Sequence, residues 1–219
     1  MDRETGVKLV RISGDEKWAM VYAGGNYFFG EIREHLTAVR TPGGYPLYTP
    51  DEKLAFRILK DLEAYGCRYR GPESILTWHF SLIDNFFGMD PEEAAKMLER
   101  SFPWRDDWTY TVGQNDPDWV GIFGRGKERR NEIRDWLSAC TVMQMTAASC
   151  IGSSYKSINL AYVLAKMTEH CRGSVLDSEL KNLAELVERH SVFYRAHELT
   201  EGFRAFSLYY GMDRKEEKI

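Results

Sequence analysis

The sequence predicts an α+β protein, with a small, largely antiparallel β-rich N-terminal domain over residues 1–50 and a larger, mainly helical domain over 51–219. Three observations carry that expectation. Short β-branched and aromatic runs, "VKLVRIS", "KWAMVYA", "NYFFGEI" and "LTAVRT", crowd the first fifty residues, with turn signals at Ser13-Gly14-Asp15 and Gly24-Gly25-Asn26. From Thr49 onward apolar residues recur instead at helical spacing. The two patterns are segregated along the chain rather than alternating, as in an antiparallel sheet with helices set apart from it.

The elements follow in order. Pro42-Gly43-Gly44 is a turn signal, and Tyr45 to Tyr48 can form a short extended piece. Thr49-Pro50-Asp51-Glu52 then reads as a helix start, with Thr49 as the cap and Pro50 at the first helical position. Asp51 and Glu52 bring negative charge to the positive end of the dipole. Leu54, Ala55, Ile58, Leu59 and Leu62 form the apolar face, and Gly66 is the expected stop. Gly71-Pro72-Glu73 starts a second helix, and Asp90-Pro91-Glu92-Glu93 starts a third. Residues 101–126, "SFPWRDDWTYTVGQNDPDWVGIFGRG", break the helical pattern. "WTYTV" and "WVGIF" read there as strands of a β-hairpin, or as a domain junction, around Asn115-Asp116-Pro117. Helices are expected beyond it over about 128–150, 155–170, 177–195 and 197–210.

Composition narrows the function classes. With 219 residues the chain can bury a sizeable core, and its net charge of −4 argues against a nucleic-acid binder held by general electrostatics. No apolar run approaches the roughly 18–20 residues needed to span a bilayer, so no membrane insertion is expected. Cys67, Cys140, Cys150 and Cys171 show no C-x-x-C spacing and read as reduced thiols. With no apolar signal core in "MDRETGVKLV", the expected location is cytoplasmic.

Motifs for chemistry are sparse. Gly121 to Lys127, "GIFGRGK", has the G-x-x-x-x-G-K spacing of a phosphate-binding loop and keeps open the alternative of a nucleotide-binding protein or an enzyme that uses it. The next position should carry the hydroxyl that holds magnesium, and Glu128 stands there instead, a carboxylate that would repel phosphate. His35, His79, His170, His190 and His197 compose no metal set, and "HELTE" lacks the second histidine of a zinc-protease helix. No serine or cysteine stands in a nucleophile motif. The expectation is a non-enzyme with no cofactor. Trp104, Trp108 and Trp119 cluster with Phe102, Tyr110 and Phe123 in the irregular segment, either as core or as a partner-binding surface.

One stretch carries a resemblance. "VRTPGGYPLYTPDEKLAFRIL" (39–59) resembles the N-terminal motif of the assembly chaperones that hold the free alpha subunit of the ATP synthase catalytic head. Val39, Arg40, Thr41, Pro42, Pro46, Leu47, Leu54, Ala55 and Ile58 supply the match. "GPESILTWHFSLIDNF" (71–86) is similar to that family's proline-led helix, through Pro72, Leu76, Leu82, Ile83 and Asp84. "GSSYKSINLAYVLAKM" (152–167) resembles its late helix, and Glu188 in "LVERHSVFY" is the nearest counterpart of its functional acid. The resemblance implies a non-enzymatic protein-binding chaperone whose client is the alpha subunit. Arg40, Trp104, Trp108, Trp119 and Glu188 are then the partner-binding candidates. An interaction module of the same fold with another client is the remaining alternative.

Overall fold

The structure is a computed structural model that describes residues 6–11, 18–23, 37–49, 51–66, 71–102 and 107–212. Two antiparallel strands, β1 (Gly6–Arg11) and β2 (Trp18–Ala23), pair from Gly6 opposite Ala23 to Arg11 opposite Trp18. The two-residue strands β3 (Thr37–Ala38) and β4 (Tyr48–Thr49) both pair antiparallel with β2. The "NYFFGEI" run lies outside the described residues. Among the described residues the other regular elements are helical: α1 (Glu52–Tyr65), α2 (Ile75–Asn85), α3 (Pro91–Ser101), a 3₁₀ turn at Trp108–Tyr110, α4 (Pro117–Phe123), α5 (Gly126–Ala139), α6 (Val142–Tyr155), α7 (Ile158–His170), α8 (Gly173–His190) and α9 (Ala196–Met212).

Those proportions correct the expected class. Among the described residues the molecule is mainly helical, and two six-residue strands with two short additions do not make a β-rich domain. The boundary at residue 50 fails with it. The chain divides into two compact units, the first containing α1 and α2 as well as the strands and ending at Phe87, the second containing Gly71–Glu73 and the residues from Gly88 onward. The expected β-hairpin in 101–126 is also absent. "WTYTV" supplies the 3₁₀ turn and "WVGIF" lies within α4, because Asp107 and Asp116 each cap a helical start there.

In the first unit α1 lies against β1, β2, β4 and α2. Its N-cap is Asp51, whose carboxylate accepts from Leu54 N at 2.7 Å, two residues later than the sequence suggests. Thr49 stands too early to cap a helix whose first residue is Glu52. Its hydroxyl instead accepts from Asp51 N. Gly66 ends α1 as expected, its N–H returning to Leu62 O. Ser74 stands at the N-cap of α2 without capping it. Asp61 of α1 takes that role, accepting from Ser74 Oγ at 2.8 Å and Leu76 N at 3.1 Å. A cap of this kind contributes about 1 kcal/mol, and here it also fixes one helix on the other.

His79 joins α2 to β4. It is buried, and its Nε2–H donates to Tyr48 O at 2.7 Å. Burial outweighs that hydrogen bond and lowers its pKa from 6.5 to about 4. The unfolded chain therefore binds this proton more tightly than the folded one. Stability of the first unit should fall as pH drops from about 6.5 toward 4, by up to about 1.4 kcal/mol per pH unit and about 3 kcal/mol in all. Urea unfolding at pH 7.5 and 4.5 measures the loss, and His79→Gln should flatten it.

The second unit is built on α7. Ile158, Leu160, Ala161, Tyr162, Val163, Leu164 and Ala165 are all buried, so the helix is enclosed on every side. Around it stand α4, α5, α6, α8 and α9. The helix expected over 128–150 is two helices. Thr141 and Gln144 close a capping box that starts α6 just after Cys140 ends α5.

Candidate functional site

The first unit presents one turn whose shape is fixed by partners far along the chain. Val39 and Leu47 are both fully buried, and Leu47 N bonds back to Val39 O at 2.8 Å. Between them residues 40–46 loop outward. Arg40 pairs with Pro46 in an isolated antiparallel bridge, and Thr41 N bonds to Tyr45 O at 2.8 Å. Asp84, at the end of α2, holds the loop from below: its carboxylate accepts from the Thr41 hydroxyl and from Gly43 N at 3.0 Å. A Cβ at Gly43 would stand 2.7 Å from that carboxylate, so only glycine lets the backbone approach this closely. Gly44, at φ 89°, takes the left-handed bend that completes the turn.

What the turn displays is large and uncommitted. Tyr45 is 51% exposed, and Phe87, three residues past Asp84, is 66% exposed. Phe87 stands edge-on to Tyr48, ring centroids 6.3 Å apart. Arg40 is exposed; one guanidinium nitrogen donates to Gly44 O at 2.6 Å, which leaves further N–H groups for an incoming acceptor. A rigid loop carrying an arginine and a tyrosine has the composition of an interface anchor. Its one hydroxyl–carboxylate pair, Thr41 with Asp84, is spent on holding the turn. Among the described residues no group of three His, Cys, Asp or Glu side chains could hold a metal ion.

Of the other candidates the sequence offers, Trp108, Trp119 and Glu188 belong to the second unit. Trp119 is fully buried in the second unit, its Nε1–H donating to Thr109 O at 2.9 Å and its ring 4.3 Å from that of Phe123. It is core, not surface. Trp108 is half-buried, donates to Tyr155 O at 2.8 Å, and packs beside Trp119 and Tyr194. Trp104 lies outside the described residues. Glu188 is half-exposed on α8 and faces Arg195 at 3.9 Å. Beyond it the α8–α9 connection exposes Val192 and Phe193 (85%), which aromatic density in 102–123 gave no reason to suspect.

The glycine-rich run does not make a phosphate loop. Gly121, Ile122 and Phe123 are the last turn of a helix, not of a strand. The Gly124 N–H is spent on Val120 O. The Arg129 guanidinium lies against Gly124, donating to Ile122 O at 3.0 Å, so the space above the turn is filled by the protein itself. The geometry needed to cradle phosphate is missing from the 121–127 turn.

His190 pairs with a carboxylate. Its Nε2 meets Asp116 Oδ2 at 2.8 Å, and this hydrogen bond holds the Asp116 carboxyl below its ordinary pKa. Cys140 and Cys171 are free thiols. Burial pushes the Cys140 thiol up to about 12, which leaves it protonated and unreactive near neutrality. Among the described residues no helix is long and apolar enough to cross a membrane. No protein-family model, curated protein or solved structure matches the chain.

Proposed function

We propose that the protein is a non-catalytic protein-binding factor, and that it takes its partner on the 40–46 turn of the first unit. The observation that supports this reading is the pinning of that turn by Asp84 with Arg40, Tyr45 and Phe87 left exposed around it. A prefixed loop loses little entropy on binding, so its aromatic contacts contribute to affinity instead of to ordering the chain. The partner to try first is the alpha subunit of the ATP synthase catalytic head, which the resemblance at 39–59 implies, and the place of action is then the cytoplasm.

Asp84→Ala separates the roles of shape and surface. It removes both anchors of the turn while leaving Arg40, Tyr45 and Phe87 in place. Partner affinity should fall about ten-fold, a loss of about 1.4 kcal/mol, with no change in far-UV circular dichroism. An unchanged affinity would mean that the turn is not the contact.

A further inference from the structure

The second unit carries a groove of about 520 Å³ between α5, α6, α7 and α9, remote in sequence from the 40–46 turn and independent of its reading. Its volume is within the range of small-molecule sites. The floor is aromatic and internally satisfied. Trp136 Nε1–H donates to Tyr210 Oη at 2.9 Å, Tyr210 Oη–H donates to Glu169 at 2.9 Å, and Lys166 Nζ completes the set on the other Glu169 oxygen at 2.9 Å. Tyr162 meets Trp136 edge-on at 5.5 Å. The floor thus offers apolar contact, and its one cation is already neutralised by Glu169.

The acceptors lie on the α5 wall, where Asp135 is unpaired among the described residues and Glu132, though paired with Arg129, keeps one carboxylate oxygen free. Asp135 is exposed and its carboxylate makes no ion pair among the described residues. Glu132, three residues before it, uses only Oε2, which accepts from Tyr162 Oη at 3.4 Å and faces Arg129 at 3.3 Å. Both groups can only accept hydrogen bonds, and both carry negative charge. An anionic ligand would meet Glu132, Asp135 and Glu169 with no free cation to hold it. The aromatic side of the groove already takes cations from the chain itself: the Arg129 guanidinium carbon is 5.0 Å and Lys166 Nζ 5.6 Å from the Tyr162 ring centroid.

We propose that this groove binds an aliphatic ammonium or guanidinium cation, with Glu132 and Asp135 accepting its N–H groups and its alkyl stem lying along the aromatic floor. The cation could arrive as a free amine or as a lysine or arginine side chain of a peptide, and the test separates the two. Agmatine and an arginine-containing peptide are titrated calorimetrically into the wild-type protein and into the double variant Glu132→Gln/Asp135→Asn, with glutarate as the anionic control. Both substitutions are on exposed positions, so the fold is retained and circular dichroism checks it. At least one cationic probe should bind the wild type. Its affinity should drop ten-fold or more in the double variant and fall as salt rises from 50 to 500 mM, as expected for a charge contact. Binding of the peptide alone assigns the cation to a protein side chain, and binding of agmatine assigns it to a small amine. Binding of neither probe, equal binding by the double variant, or equal binding of glutarate overturns the proposal.

Discussion

Replacing Asp107 with alanine should destabilise the second unit by about 3–5 kcal/mol. The carboxylate is almost completely buried. It accepts from Thr109 N at 3.1 Å, Thr109 Oγ1 at 2.7 Å, Ser157 Oγ at 2.8 Å and Asn159 N at 3.1 Å. Removing it leaves those donors facing a cavity in the interior, and each unpaired buried group costs about 1–3 kcal/mol. The loss also reaches function of the fold, because Ser157 caps α7 and Asn159 donates to Phe123 O, tying α4 to the same point. Asp107→Asn should recover little, since its amide nitrogen would face donors. Urea unfolding gives the difference directly, and the melting temperature should fall by roughly 10 °C. A loss below about 1 kcal/mol would show that the network is dispensable.

Trp119→Ala should cost about as much, roughly 3–5 kcal/mol, by a different route. The side chain is fully buried among Phe123, Trp108 and His190, whose ring centroids lie 4.3, 5.7 and 4.7 Å from its own. Alanine leaves a void that the surrounding rings cannot close without giving up their own contacts. Trp119→Phe keeps most of the packing but strands Thr109 O, and should cost roughly 1–2 kcal/mol. Near-UV circular dichroism should lose intensity in both. Partner affinity, measured well below the transition, should not change, whereas a partner-contacting tryptophan would lose affinity with little loss of stability. The pair of readouts therefore decides between core and interface for the residue that the sequence leaves open.

Why some features can be read from the sequence and others cannot is a matter of range. The start of α3 is legible because Asp90-Pro91-Glu92-Glu93 carries the cap, the first-turn proline and the acidic residues within four positions, and Asp90 does accept from Glu93 N. The same signature at Asp116-Pro117-Asp118 starts α4, but the β-branched and aromatic residues of "WVGIF" argue locally for a strand and obscure it. The break between α5 and α6 is also written, as Thr141-x-x-Gln144, within a run whose apolar spacing reads as one helix. Thr49 misleads because Thr-Pro-Asp-Glu fits a cap at either Thr49 or Asp51, and the helix starts at Glu52, so Asp51 takes the role.

The candidate site is legible only in part. Arg40 stands out through the motif around it, and the turn is announced by Pro42-Gly43-Gly44. Its anchor does not, because Thr41 and Gly43 meet Asp84 across more than forty residues, and no local pattern encodes that pairing. Tyr45 and Phe87 look like ordinary core aromatics until the packing leaves them outside. The tryptophans show the reverse: dense aromatics mark a place where hydrophobic surface matters, but only the fold says on which side it faces.

The reading of the 40–46 turn as a partner-binding site is tested most directly by one titration. Purified ATP synthase alpha subunit is added to the wild-type protein and to the triple variant Arg40→Ala/Tyr45→Ala/Phe87→Ala, all three side chains being exposed. The wild type should bind, and the variant should keep its melting temperature while losing at least about thirty-fold in affinity, as expected when interface anchors of about 2 kcal/mol or more are removed. A wild type that does not bind, or a variant that binds equally well, would contradict it.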